Sequence, residues 1–261
     1  MWKPIALSTL IGLGISSQAM AHDSFHVDTS DCNVSTDYAI EVGPDFFTVD
    51  GENGKLMTFQ LPSQLSVDGE PLPLNSEQEQ LLQEYRQQLH IAGRDTLVLT
   101  LEAIDIAMDG LSIAINALAG PDHPDILELQ QLSADLIQRT EDRLNREGEI
   151  YQLGGEEIGD YIEKTISEEF EPRIERLAME SAGTIAWHAL KAAFTGGQSI
   201  EEQATEEAER LIEQRAENIE QSAYRLCTQL KTIDRLETDL HQLVPELSHY
   251  DIVKTNLVIA D

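Results

Sequence analysis

"SIEEQATEEAERLIEQRAENIEQSAYRLCTQLKTIDRLETDLHQLVP", residues 199–245, is the longest regular pattern in this chain of 261 residues. Ile212, Ile219, Ala223, Leu226, Leu230, Ile233, Leu240 and Val244 recur at spacings that gather them on one face of an α-helix. Ser199 and Glu202 form an S-x-x-E pair whose hydroxyl and carboxylate can each bond an orphan backbone N–H, so a capped start is expected there. Pro245 cannot continue the helix and closes it. At about 1.5 Å per residue the unbroken segment would reach about 65 Å, longer than a compact domain of this size is across. A second stripe precedes it, through Ile158, Ile162, Ile166, Phe170, Ile174, Leu177, Ile185 and Ala189, with Pro172 expected to kink or restart it. Gly196 and Gly197 join the two stripes, so they are expected to fold back as an elongated, coiled-coil-like antiparallel hairpin.

Towards the N-terminus, a charged amphipathic helix is expected over about 124–146, on Ile126, Leu129, Leu132, Leu136 and Leu144, with "YQLGG" after it as a loop. Residues 96–120 are apolar on most sides and are the candidate central core helix, with Glu102, Asp105, Asp109, Ser112 and Asn116 as its wet stripe. An earlier helix is expected to start at a Ser76/Glu79 capping box, carry Leu81, Leu82, Tyr85 and Leu89 on one face, and end at Gly93. Before Ser76 the pattern is extended: three or four short runs over about 38–74, with a turn at "GENGK" and a hairpin turning at Asp68-Gly69. The expected fold is α+β, mainly α: a small antiparallel β region over 22–75, then an elongated helical bundle over 76–261. The whole of 22–261 is expected to be one cooperative unit.

Residues 1–21 read as a signal peptide: Lys3 gives a positive start, Ile5 to Ile15 an uncharged apolar core, and Ala19-Met20-Ala21 the small-x-small pattern for cleavage between Ala21 and His22. The apolar core is about half the ~20 residues a membrane span needs. Export places the expected mature chain in the periplasm, an oxidising compartment. There the only two cysteines, Cys32 and Cys227, are expected to form a disulfide that ties the strand region to the last long helix; two buried thiols are the alternative.

Forty-eight acidic residues against 17 basic ones give a formal net charge of −31. That charge repels nucleic acid and anionic lipid surfaces. The sequence contains no H-E-x-x-H, G-x-S-x-G, S-x-x-K or G-x-x-x-x-G-K pattern. Its weak metal candidates are His22, the residue that cleavage would leave at the N-terminus, and His26, a pair of imidazoles beside a free amine that suits copper. No catalytic residue and no cofactor is assigned. The amphipathic stripes favour a non-enzymatic binding or interaction protein, with a protein partner or self-association and no stable membrane insertion. A hydrolase or metal-dependent enzyme using dispersed Asp, Glu and His is the alternative, and copper binding at the N-terminus a further one.

The stretch "VDGEPLPLNSEQEQLLQEYRQQLH" resembles the YggN-like exported proteins of gammaproteobacteria, a family of unknown function. Gly69, Leu72, Leu74, Gln80, Leu82, Tyr85 and Leu89 carry the likeness, together with the early Cys32 and the late Cys227. The resemblance implies a soluble periplasmic protein with no assigned activity, and it transfers no catalytic residue.

Overall fold

A computed structural model describes residues 25–29, 32–51, 54–119, 124–146, 148–154 and 200–256, with isolated positions between 164 and 176. Seven strands make one antiparallel sheet: β3 (Ala39–Val42), β4 (Phe46–Gly51), β5 (Gly54–Gln60), β6 (Gln64–Val67), β7 (Glu70–Leu72), β8 (Asn145–Arg146) and β9 (Ile150–Leu153), in the spatial order β7-β6-β5-β4-β3-β9-β8. A second, three-stranded sheet sets β2 (Cys32–Thr36) between β1 (Phe25–Thr29) and β10 (Lys254–Asn256). Among the described residues, three continuous helices accompany them: α1 (Ser76–Ala119), α2 (Pro124–Leu144) and α3 (Ile200–Leu243), the last followed by a 3-10 turn, Pro245–Leu247.

Strand register aligns the core of the large sheet in two rows. Leu153 pairs with Ile40, Ile40 with Val49 and Val49 with Met57; Tyr151 pairs with Val42, Val42 with Phe47, Phe47 with Phe59 and Phe59 with Leu65. All nine side chains are buried. The period-2 alternation of strands puts them on one face, and burying such side chains stabilises by about 1.5–3 kcal/mol each. The Phe47 ring stands edge-on to Tyr85 of α1 at 5.6 Å, and Leu82 and Leu89 fill the same layer. Asp68 and Gly69 both have positive φ, 51° and 80°, the two-residue turn expected between β6 and β7.

The expectation of a small β region followed by an elongated bundle with a long hairpin is overturned on three counts. First, β8, β9 and β10 come from stretches expected to be helix, loop or tail, and ten strands in two sheets are not a small cap. Second, α1 does not stop at Gly93 but continues to Ala119, 44 residues in all. Gly93 serves close approach instead: a Cβ there would lie 2.6 Å from Tyr151 Cβ, so its bare backbone lets β9 pack against the helix. Third, the antiparallel neighbour of α3 is α1, which is not adjacent to it in the chain. Gln78 bonds the Leu243 carbonyl, Tyr85 bonds Glu237, and Arg215 bonds Asp105 and Asp109, so the partner number falls as the other rises. The expected first arm, residues 158–195, lies outside the described residues apart from isolated positions, as does Ser199 of the expected second cap.

The core is accordingly not centred on residues 96–120. It lies between the sheet, the first half of α1 and the second half of α3, where Leu226, Leu230, Ile233, Leu240 and Val244 are all buried. Past Leu97, Ile104 is the one buried residue among the described positions of α1. The cap of α1 is also displaced by one residue. Asn75 Oδ1 accepts the N–H groups of Glu77 and Gln78 at 3.0 Å each, and Gln78 Oε1 accepts the Asn75 N–H at 2.8 Å. The remaining amide of Gln78 donates to the Leu243 carbonyl at 2.6 Å. One glutamine thus satisfies orphan groups at the start of α1 and the end of α3, which the Ser76/Glu79 alternative cannot do because a carboxylate has no N–H to give.

Candidate functional site

Glu237 breaks the apolar seam of α3. It falls four residues after Ile233 and three before Leu240, so the helical period turns it to the core face, where it is 3 % exposed. The residues after α3 close over it. Ile252 and Val253, buried themselves, direct their backbone N–H groups at its carboxyl: Ile252 N–H to Oε1, and Val253 N–H to Oε2 at 3.2 Å. From α1 the Tyr85 hydroxyl donates to Oε2 at 3.1 Å. His241, one turn further along α3, has Nε2 3.8 Å from Oε1 and 2.8 Å from the Tyr250 carbonyl.

Burial pushes the Glu237 carboxyl up to about 8; the three donors pull it down and the nearby Asp251 adds to the rise. The same burial, followed by the charge of Glu237, pushes the Tyr85 phenol well above its ordinary value.

The rest of the C-terminal strap, residues 245–256, is held by more carboxylates. Tyr250 donates its hydroxyl to Asp68 in the β6–β7 turn at 2.5 Å, Lys254 pairs with Asp37 at 2.5 Å, and the Thr255 hydroxyl donates to Asp234. Strand β10 zips onto β2, with Lys254 opposite Ser35 and Thr255 opposite Val34. Leu247, Ile252 and Val253 are the apolar plugs.

A carboxyl titrating near neutrality is chemically suited to proton transfer. Both oxygens of Glu237, however, are engaged by donors of its own chain, so the arrangement acts on the fold that surrounds it. The larger described concavities lie elsewhere. A trough of about 610 Å³ on the outer face of the large sheet is lined by Thr58, Gln60, Ser66, Pro71 and Pro73, none of them charged. A groove of about 440 Å³ between α1 and α3 has Leu81 and Leu243 with Glu77, Glu84 and Asp239.

The residues singled out in the sequence lie in different elements where they are described. Ala21 and His22 lie outside the described residues. His26 sits in β1 opposite Ser35 by register, and no group of three or more His, Cys, Asp or Glu able to hold a metal occurs among the described residues. Cys32 opens β2, opposite Thr29, while Cys227 is buried in α3, which packs against both β1 and β2. Asp105 and Asp109 lie on the solvent-accessible stripe expected of them and also pair with Arg215 of α3 at 2.9 and 2.5 Å. Glu237 was not anticipated, although an acid sitting on an apolar seam was its visible signal.

A family model matches residues 32–253. The chain belongs to the DUF2884 family. That family is described as proteins of unknown function, and its match runs from the start of β2 to the strap residues over Glu237. No curated protein and no solved structure matches the DUF2884 chain. Among its described residues no helix is long and apolar enough to cross a membrane.

Proposed function

We propose that the protein is an exported, non-enzymatic interaction protein of the periplasm, a YggN-like member of its family, whose N-terminal strands are tied to α3 by a Cys32–Cys227 disulfide. The observation that carries the reading is the reach of the α1–α3 pair beyond the sheet. At about 1.5 Å per residue each 44-residue helix spans about 66 Å. Near the middle of the two helices, Val98 is 46 % and Tyr224 61 % exposed. An exposed tyrosine on a helix is the kind of side chain that anchors a protein interface, and an exposed valine adds apolar area to it. Support for the disulfide comes from the absence of a free thiol among the described cysteines and from the packing of β2 against α3.

Photo-crosslinkers at positions 98 and 224, with position 58 on the outer face of the sheet as control, test the interaction in the native compartment. Adducts at 98 and 224 but not at 58, identified by mass spectrometry, are expected. Recovery of uncrosslinked monomer at all three positions would overturn the reading. The disulfide is tested separately by thiol labelling of unreduced, denatured protein. Neither cysteine should react, and reduction should cost about 2–5 kcal/mol of stability.

A further inference from the structure

We propose that the C-terminal strap, residues 245–256, is a proton-operated latch over the β2 edge: buried Glu237 keeps it closed while neutral and loosens it when ionised. The geometry supplies each part. The strap continues from the end of α3, returns to it through the Thr255 hydroxyl on Asp234, and roofs Glu237 with the backbone of Ile252 and Val253. The other walls of the chamber are α1, through Tyr85, and α3 itself, and both are fixed by the core. Water can therefore reach the carboxyl most cheaply by lifting the strap. Lifting it also unpairs β10 and uncovers one edge of β2.

Ionisation in place is unfavourable first because the carboxyl is buried and then because Asp251 lies near it; further titratable and charged groups surround it. From α3 come Asp234 and His241, from the strap Asp251 and Lys254, from the β2–β3 link Tyr38, and from α1 Tyr85. Lys254 of the strap is already paired with Asp37 at 2.5 Å. His241 stands 3.8 Å away and spends the same Nε2 on the Tyr250 carbonyl. A neutral carboxyl still accepts the Ile252 N–H and can give its proton to the Tyr85 hydroxyl, so the protonated form keeps the strap's contact without the cost of burying a charge.

The sign follows from linkage. The carboxyl titrates at about 8 under the strap and at about 4.5 in water. Opening should therefore grow by up to about tenfold per pH unit between those values and level off above the higher one.

Amide hydrogen exchange on the mature chain, corrected for intrinsic rates, reads this directly. Protection of Ile252 and Val253 is expected to fall with that slope from about pH 5 to about 8 and then flatten, while Phe47 and Phe59 in the central strands keep theirs. Glu237→Gln should abolish the slope. Tyr85→Phe removes a donor that holds the carboxyl down, so it should move the plateau to higher pH. A flat wild-type profile, an unchanged slope in Glu237→Gln, or central strands that lose protection in step with the strap would each overturn the latch. Should Glu237→Gln fail to fold, the carboxyl ¹³C titration of wild-type Glu237 decides: a midpoint away from the strap plateau refutes the proposal, and coincidence supports it.

Discussion

At the scale of single residues, two glycines in α1 make opposite demands. Gly93→Ala would place a methyl group 2.6 Å from Tyr151 Cβ, so it should destabilise by about 1–3 kcal/mol in urea unfolding despite alanine's helix preference. Gly110 has nothing within 4 Å of a built Cβ, so Gly110→Ala should stabilise by about 0.5–1 kcal/mol. Glu237 sets the pH response. A carboxyl raised to about 8 contributes stability that is complete below its ordinary range and lost as pH rises through 8. Between pH 5 and 8.5 wild type should lose a few kcal/mol more than Glu237→Gln in paired denaturant titrations, on the scale of about 1.4 kcal/mol per pH unit. Both features left traces in the sequence that local patterns misread. Gly93 has the form of a helix terminator, and only the approach of Tyr151 from more than fifty positions away makes it a packing notch. Glu237 has the form of a surface acid until the seam of Ile233 and Leu240 is seen to enclose it.

At the scale of elements, the start of α1 is the clearest test. Asn75→Ala removes two bonds to orphan N–H groups and should cost about 1 kcal/mol in thermal or denaturant unfolding. Ser76→Ala makes no such loss and should stay within about 0.5 kcal/mol of wild type. The helical period predicted α2, α3, the two halves of α1 as separate helices, and the stripe Leu82, Tyr85 and Leu89, because those side chains meet one continuous surface. The Asp68-Gly69 turn was legible for a similar reason: its chemistry is contained in the two residues themselves. Strands β8, β9 and β10 were not legible. Two to four residues carry too little alternation to announce a strand, and these are strands because β3 and β2 offer them partners. The candidate site was hidden by the same limit, since its donors come from Tyr85, 152 positions away, and from a strap whose return over Glu237 no local pattern announces.

At the scale of the whole molecule, charge dominates. A net charge of −31 sets the folded surface against itself. Moving from about 0.01 M to about 1 M NaCl shortens the screening length from about 30 Å to about 3 Å. The midpoint in scanning calorimetry should therefore rise with salt. The bridge from Arg215 to Asp105 and Asp109 weakens over the same range, but exposed pairs contribute about 1 kcal/mol or less and should not reverse the trend. The two margins of the seven-stranded sheet act at this scale as well. One is three-residue β7, where Pro71 has no N–H, and the other is two-residue β8. Neither provides a run of free amides on which further chains could stack into a fibril. Clumping of stored material through this sheet should then need molecules that have already lost their fold, and its speed should follow the unfolded fraction instead of the total concentration.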